Sequence, residues 1–351
     1  MKMNLRTPTF GMLNISPVYN QNLHRPGGTS TVFFGESRII QARLCGTGLH
    51  KVKLYRMAIV KNTLLEAYPC PLCGSEDRRL LFVVKGFTLV RCRSCTLVYV
   101  NPRIRNEKIY DIYSDHYFKS NESGYDNYEL AAHLRVRTFR RWYQEIKPYL
   151  LIQGGPALDI GCAAGYFLDI LREEGWNAEG IELDPEMRAQ VRAKGFSVSD
   201  KPIEHFDGDK RYDLITLFDV LEHLPKLKND ARTLAGLLRD KGTIALVTPD
   251  FDSLQRKLLG KRWFQLKPTE HIHYFTRGTL RRLAEESGLK VVHTVSSGQY
   301  ADLSFLHNRL VRYGFPHLAA AFKSLIKAAG LSKMMWYADT GSMLALLQKK
   351  N

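Results

Sequence analysis

Four of the six cysteines form two closely spaced pairs. Cys70 and Cys73 enclose two residues, Cys92 and Cys95 enclose two more, and 18 residues separate the pairs. Two such knuckles aim four sulfurs at one point, which is the pattern of a tetrahedral zinc site. A redox motif needs a single pair, and disulfides are disfavoured because the start of the chain lacks the apolar core of a secretory signal. The sequence therefore predicts structural Zn2+ with no open position, and Cys45 and Cys162 as free thiols.

Glycines and acids follow the ends of three apolar runs. Asp159, Gly161 and Gly165 lie in the stretch LDIGCAAG, Glu182 follows 23 residues after Asp159, and Asp219 ends the fourth apolar run of this part of the chain. A glycine-bearing turn that opens a helix lets a ligand approach the backbone closely. An acid at a strand end can accept hydrogen bonds from two ribose hydroxyls. This set predicts a ligand crevice at one edge of a sheet.

Two segments offer groups that could take a proton from an acceptor. Glu222 and His223 directly follow the fourth apolar run, and Glu270 and His271 lie in the segment 269–275. A positioned histidine or carboxylate is the usual general base. The alternative for each histidine is a structural role, capping a helix or tying a loop. A metal site at His271 and His273 is disfavoured because no third ligand is evident.

Alternating elements must position these groups. Strands are predicted at 156–162, 177–184, 196–199, 212–219, 242–248, 291–295 and 343–347, with helices at 164–174, 185–194, 221–238 and 280–287. Strands that alternate with helices indicate a parallel sheet covered on both faces. Between the cysteine pairs, the runs 80–84 and 87–90 predict a hairpin that turns at Lys85 and Gly86.

The crevice motifs resemble those of the class I S-adenosylmethionine-dependent methyltransferases. Their first motif reads roughly hDhGxGxG, and LDIGCAAG matches it with Ala163 at a position that is usually glycine. The nicotinamide-binding alternative requires GxGxxG, which is absent here. The resemblance implies a Rossmann-like, seven-stranded, mostly parallel α/β sheet, preceded by a small β zinc ribbon. It also implies S-adenosyl-L-methionine as cofactor, and an enzyme.

The same resemblance assigns roles to the crevice residues. Gly161 and Gly165 would line the methionine portion, Glu182 would bind the ribose, and Leu183 would lie against the adenine. Asp219 and Val220 would lie near the methionyl amine or the sulfonium. Asp159 belongs to the first motif and completes the expected cofactor site.

The segment 269–275 resembles the EHxxYF segment of sugar and small-molecule methyltransferases that also carry an N-terminal zinc domain. That resemblance implies Glu270 and His271 as base and positioning acid, with His223 as the alternative base. It implies a small-molecule acceptor, most naturally a sugar, free or nucleotide- or lipid-linked, in polysaccharide or secondary-metabolite assembly. Two other acceptors compete: a quinone precursor, whose O-methyltransferases normally lack the ribbon, and RNA gripped by a basic ribbon. A degenerate domain that only binds a partner is a further alternative, supported by Ala163 alone.

Composition and charge limit the class of protein. With 44% apolar and 25% charged residues, the 351-residue chain has the composition of a globular protein. No apolar run approaches membrane-spanning length, so a cytoplasmic protein is expected. The net charge is +16, and residues 1–61 contribute nine Lys/Arg against one acid. This excess indicates either a solvated basic surface or a polyanionic partner such as nucleic acid or anionic lipid.

Composition also divides the chain. Residues 1–56 lack a sustained helical or strand period. They are interpreted as a disordered basic tail, as a transit-like leader or as residues upstream of a true start at Met57, and the last interpretation is preferred. A zinc ribbon is expected at 57–104, a helical linker at 105–150 and the methyltransferase domain at 151–351. A helical insertion at about 304–331 has a basic amphipathic face, which would cover the sheet or the acceptor pocket, or contact a membrane.

Overall fold

The computed structural model describes most of the chain from Leu64 onward. The described residues are 30–34, 38–42, 64–113, 131–206, 210–303, 307, 311, 317–321 and 334–350. The chain divides into two compact units, Met1–Leu65 and Glu66–Asn351. In the first unit, β1 (Ser30–Phe34) and β2 (Arg38–Ala42) pair antiparallel. The rest of residues 1–56, on which their interpretation depends, lies outside the described residues.

The second unit begins with short strands and continues with strands and helices that alternate along most of the chain. The strands are β3 (Leu65–Glu66), β4 (Arg78–Val84), β5 (Phe87–Cys92), β6 (Val98–Val100), β7 (Arg103–Ile104), β8 (Gly155–Ile160), β9 (Trp176–Ile181), β10 (Val198–Ser199), β11 (Tyr212–Phe218), β12 (Leu238–Pro249), β13 (His273–Tyr274), β14 (Leu289–Asp302) and β15 (Met335–Lys349). The helices are α1 (Asn106–Ile109), α2 (Ala132–Ile146), α3 (Tyr166–Glu173), α4 (Pro185–Ala193), α5 (Leu227–Leu237), α6 (Leu254–Leu259) and α7 (Arg277–Glu286). Single 3-10 turns cover Tyr110–Tyr113, Lys147–Tyr149, Ile203–His205, Leu221–His223 and Gly260–Arg262.

A seven-stranded sheet forms the centre of the second unit. Its strand order is β10-β9-β8-β11-β12-β15-β14, and only β15 runs antiparallel to its neighbours. This architecture confirms the predicted Rossmann-like fold. The order reverses between β8 and β11, so the crevice beyond their carboxyl ends is where a ligand of such a sheet binds.

Alternate residues of the central strands face two separate cores. Ile215 and Leu217 of β11 pack in the core that contains α5 and α7, whereas Leu214 packs in the core that contains α2 and α3. β12 and β15 alternate in the same way. A buried sheet needs apolar residues on both faces, which explains the nearly continuous apolar runs that made these strands recognisable.

The cysteine-bearing segment forms a small sheet of its own. The hairpin of β4 and β5 turns at Lys85 and Gly86, both with positive φ, as the sequence predicts. β6 then pairs with β5, and β13 from the distant segment 269–275 pairs with β6. Cys70, Cys92 and Cys95 lie in the same apolar core as Leu280 and Leu283 of α7. The ribbon and the large sheet therefore share a core, and the boundary expected at residue 104 stays a prediction.

Three predicted elements differ in extent from the observed ones. The strands expected at 291–295 and 343–347 extend over 14 and 15 residues in β14 and β15. The strand residues beyond the predicted bounds include polar and aromatic side chains and pack against α2. There Trp142 Nε1 donates to Gly298 O at 3.0 Å. The helix expected at 221–238 is a 3-10 turn followed by α5, because Pro225 interrupts it.

The helical parts of the remaining predictions are only partly described. α1, α2 and two 3-10 turns lie within the expected linker at 105–150, of which residues 114–130 lie outside the described residues. Most of the expected insertion at 304–331 also lies outside them, although 317–321 are helical. No helix in the described part of the chain combines the length and the apolar character needed to cross a membrane.

Arg103 connects the ribbon to the loop that follows β11. Its buried guanidinium donates to Asn106 Oδ1 at 2.8 Å and to Pro225 O at 3.0 Å, and it lies 4.2 Å from the Tyr68 ring centroid. A charged group that makes several hydrogen bonds in a buried position stabilises a fold as long as all its partners remain.

We expect Arg103→Met to lower the free energy of unfolding by about 2–3 kcal/mol, because the carbonyl of Pro225 loses its donor. The exposed Arg105 makes no capping side-chain bond, so Arg105→Met should change stability by less than about 0.5 kcal/mol. Urea unfolding curves of both variants measure the difference. Equal midpoints would contradict the connecting role of Arg103.

Candidate functional site

The loop after β8 exposes backbone instead of side chains. Gly161, Ala163 and Gly165 have φ values of +72°, +45° and +75°. A Cβ at position 161 would lie 2.6 Å from Cγ2 of Val220, which glycine avoids. Gly165 is the N-cap of α3, so the loop delivers the chain directly to a helix N-terminus. Ala163 takes the left-handed conformation that the usual glycine would take, at some cost in strain.

Glu182 joins this loop to the one after β9. Its buried carboxylate accepts from the Ala163 amide at 2.8 Å through Oε2 and from the Asp184 amide at 2.8 Å through Oε1. Each oxygen has a second lone pair that can accept a hydroxyl. Burial raises the pKa of Glu182. Leu183, which follows Glu182, is half-buried.

Asp159 lies beneath the loop. The hydroxyl of Thr216 donates to its Oδ1 at 2.6 Å, and burial raises the pKa of Asp159 to about 7. This hydrogen bond joins neighbouring positions of β8 and β11 within the sheet.

Asp219 and Val220 follow β11 on the other side of the crevice. Asp219 has a φ of +56°, and burial raises its pKa to about 6, opposed by the charges of Lys267 and Arg135. Val220 lies against Gly161, so the structure brings the two halves of the crevice together. Asp219 also lines a cavity of about 20 Å³ with Trp142, Val247, Phe264, Gln265, Gln299, Thr340 and Ser342.

The crevice fits S-adenosylmethionine on chemical grounds. The ligand has ribose hydroxyls, which a carboxylate can accept, and a sulfonium and an ammonium, which acids stabilise. Glu182 and Asp219 supply these groups on either side of a loop without side-chain bulk at Gly161. When bound, the cofactor supplies an electrophilic methyl group.

A buried cluster lies beyond Asp219. Ligand-type atoms of Glu222, His223 and His271 all lie within 4.8 Å of one another, and the two imidazoles meet edge to face at 4.8 Å between centroids. Burial lowers the pKa of His223 to about 3 and that of His271 well below its usual value, so both rings are neutral. Burial also raises the pKa of Glu222 well above its usual value.

Hydrogen bonds define the protonation of one ring. Nδ1 of His271 lies 2.9 Å from the carbonyl oxygen of Gln265, which can only accept, so this nitrogen carries the proton. Nε2 of the neutral ring therefore holds a lone pair. Glu222 accepts from Thr248 Oγ1 at 2.9 Å through Oε2, while Oε1 faces His223 Nε2 at 3.9 Å.

Glu270 lies at the edge of this cluster. It is buried, and its Oε2 lies 3.9 Å from Nζ of Lys267. The charge of Lys267 contributes to the lowered pKa of both histidines. The sequence does not identify Lys267 as part of the site, because this lysine belongs to no recognisable motif. The sequence offers Glu222 and His223 together as a segment with possible bases but singles out only His223, because the burial of Glu222 depends on residues far along the chain.

His273 is separate from the cluster. It is fully buried, and its Nε2 donates to the carbonyl oxygen of Leu224 at 3.0 Å. This bond corresponds to the structural alternative that the sequence left open for each histidine.

The four ribbon cysteines form a second cluster. Cys70 Sγ lies 3.4 Å from Cys95 Sγ, and Cys73 Sγ lies 3.5 Å from Cys92 Sγ, with all four sulfurs within 4.8 Å. Zinc–sulfur bonds of about 2.3 Å place tetrahedral sulfurs about 3.8 Å apart, so the donor set fits a zinc ion. The amide of Gly74 donates to Cys70 O at 2.8 Å and closes the first knuckle.

Comparison with known proteins gives a family for part of the chain. Residues 130–294 match a family model described as a methyltransferase domain. A ubiquinone biosynthesis O-methyltransferase of Bordetella avium is 28% identical over 115 residues, which are 30% of this chain and 47% of that protein. The match thus spans about half the length of that curated relative.

Two solved structures are similar at a lower level. A SAM-dependent methyltransferase from Archaeoglobus fulgidus is 20% identical over 64% of this chain and all of its own, with a TM-score of 0.44. A sugar N-methyltransferase from a Streptoalloteichus species is 23% identical over 35% of this chain and 52% of its own, with a TM-score of 0.32. Together, the family match and the crevice at the sheet's reversal point identify residues 130–294 as a methyltransferase domain.

Proposed function

We propose that this chain transfers the methyl group of S-adenosylmethionine to a small-molecule acceptor, a sugar that is free or linked to a nucleotide or lipid. The observation that carries the proposal is the position of segment 269–275. Strand β13 joins it to the zinc ribbon, and His271 brings it into the buried cluster beside Asp219. A ribbon combined with this segment is the feature that resembles sugar methyltransferases.

The crevice residues have distinct roles in this proposal. Glu182 accepts the ribose hydroxyls, Leu183 lies against the adenine, and Gly161 and Gly165 allow the methionine portion to approach the backbone. Asp219, with Val220 beside it, stabilises the positive charge of the cofactor. Methyl transfer from a sulfonium is an in-line displacement, so alignment of donor and acceptor supplies much of the rate.

His271 is the preferred base. A neutral imidazole whose Nδ1 proton is held by a backbone carbonyl presents its Nε2 lone pair to an acceptor hydroxyl. His223 is neutral as well and lies beside it, and Glu270 would act as the positioning acid. Four thiolates at the ribbon leave no open coordination position, so the proposed Zn2+ is structural.

A quinone precursor is the second candidate acceptor, because curated relatives are ubiquinone biosynthesis O-methyltransferases. A catechol hydroxyl needs the same cofactor alignment and a base of the same kind. RNA is a third class, motivated by the net charge of +16.

Cofactor binding should depend on the Glu182 carboxylate. We expect Glu182→Ala to weaken S-adenosylhomocysteine binding about 10- to 100-fold, because a charge-assisted hydrogen bond contributes about 1.5–3 kcal/mol. Isothermal titration calorimetry measures this change. Glu179→Ala is the matched control, since Glu179 lies on β9, which leads to Glu182, but binds Lys210 and Tyr212. Equal affinities for both variants would contradict the assignment of Glu182.

Binding of the cationic cofactor should also depend on pH. The pKa of Asp219 is raised to about 6, so the carboxyl loses its charge below that pH. We expect affinity for S-adenosylmethionine to fall as pH decreases from 7 to 5, by up to about tenfold per unit below pH 6. Asp219→Asn should bind weakly with a flatter profile. A wild-type profile that persists in Asp219→Asn would assign the titration to another group.

The acceptor class is tested by supplying one acceptor at a time. We expect S-adenosylhomocysteine to form with nucleotide-linked sugars and not with catechols or bulk RNA. His271→Ala should slow that reaction about 10²- to 10⁴-fold without changing cofactor affinity, because general bases contribute this much. The amount of S-adenosylhomocysteine formed over time is measured by chromatography. Turnover with a catechol alone would favour the quinone alternative.

A further inference from the structure

The third strand of the ribbon lies between the metal site and the segment of the proposed base. Val98, Tyr99 and Val100 of β6 are all buried. On one side Tyr99 pairs with Val90 of β5, and on the other it pairs with His273 of β13. The amide of Val100 also donates to Ile272 O at 3.0 Å.

The opposite edge of β13 is joined to the turn that carries His223. The amide of Ile272 donates to Glu222 O at 3.0 Å, and His273 Nε2 donates to Leu224 O at 3.0 Å. The segment that includes His271 is thus hydrogen-bonded to the ribbon on one side and to the end of β11 on the other. Any shift of β6 would move this segment relative to Glu222 and His223.

The second cysteine knuckle determines where β6 begins. Cys92 is the last residue of β5, its amide donates to Leu97 O at 2.9 Å, and Thr96 N donates to Cys92 O at 3.1 Å. Thr96 has a φ of +68°, an uncommon conformation for this residue type. Metal bonds at Cys92 and Cys95 would stabilise this knuckle, because binding energy at such sites is folding energy.

The ribose side of the cofactor crevice is assembled from other elements. Gly161, Gly165 and Glu182 follow β8 and β9, on the far side of the sheet's reversal point from β12. Loss of the knuckle should therefore affect the proposed base segment before it affects the cofactor loops.

We propose that the zinc ribbon is a positioning element of the methyl-transfer site, and that His273 is the residue that transmits its position. This inference rests on the proposed function. The ribbon's metal fixes β6, β6 fixes β13, and His273 holds β13 against Leu224, so that His271 meets His223 at the end of β11. His273 acts through this placement and is not a catalytic residue.

The experiment compares Cys95→Ser with Cys45→Ser in the full chain. Cys45 belongs to neither Cys-x-x-Cys pair and serves as the control. We expect Cys95→Ser to accelerate hydrogen–deuterium exchange of segment 269–276 at least tenfold. Its S-adenosylhomocysteine affinity and its KM for S-adenosylmethionine should stay within about twofold of the control, while kcat falls at least tenfold. Unchanged exchange at 269–276, or an equal increase at 155–182 with loss of cofactor binding, would overturn the proposal.

A second pair of variants tests His273 with all four cysteines in place. His273→Ala removes the bond to Leu224, whereas His273→Gln keeps an N–H donor at similar reach. We expect His273→Ala to speed exchange at 269–276 and lower kcat at constant KM for the cofactor, and His273→Gln to restore most of both. Equal behaviour of the two variants would overturn the role of His273. Because exchange is measured without an acceptor, it decides this inference even if the wild type methylates no sugar.

Discussion

The two hydrogen bonds of the Glu182 carboxylate are the constraint on which the cofactor crevice depends. They bring the amides of Ala163 and Asp184 to one side chain and so tie together the loops after β8 and β9. This explains how an alanine can occupy a left-handed position that usually needs glycine: its amide has a charged acceptor at 2.8 Å, which offsets the strain at φ +45°. Asp184 in turn caps α4 by accepting from Glu186 N and Met187 N. A single carboxylate thus sets the loop, the strand end and the start of the next helix.

The buried acids near the crevice are consistent with the positive ligand proposed for it. Burial raises the pKa of Asp159 to about 7 and that of Asp219 to about 6, above the ordinary value of 3.8. For a raised pKa, the stabilising contribution is present below the unfolded value and is lost as pH rises through the folded one. Near neutral pH an ionised Asp219 therefore costs the fold stability. A sulfonium or ammonium beside it would reverse the sign, because an opposite charge favours the ionised form. The ionised form of Asp219 is consequently more favourable when a cation is bound in the crevice than when no cation is bound.

Local patterns predicted the elements that local interactions build. The strand that carries Asp159 and the strand before Asp219 are apolar runs, and Thr276 caps α7 locally by accepting from Thr279 N. The pairing of β13 with β6 could not be predicted, because a two-residue strand has no period and its partner lies more than 170 residues earlier. The full length of β14 and β15 was missed for a related reason. Their outer halves are polar and are held by each other and by α2, as where Thr138 Oγ1 accepts from the Tyr300 amide. The position of Lys267 within the buried cluster likewise depends only on tertiary packing.

The state of the proposed base is a consequence of this long-range packing. An exposed histidine is half charged near pH 6.5 and exchanges between tautomers. His271 is neutral because it is buried, and it is a single tautomer because the carbonyl of Gln265 holds Nδ1. The segment of His271 can be buried only if β6 and the ribbon hairpin pack beside it, because β6 is the strand partner of β13. A short segment cannot bury itself, because two residues of strand form too few hydrogen bonds and too little apolar contact. The ribbon therefore contributes to the chemistry of His271 without any cysteine approaching it.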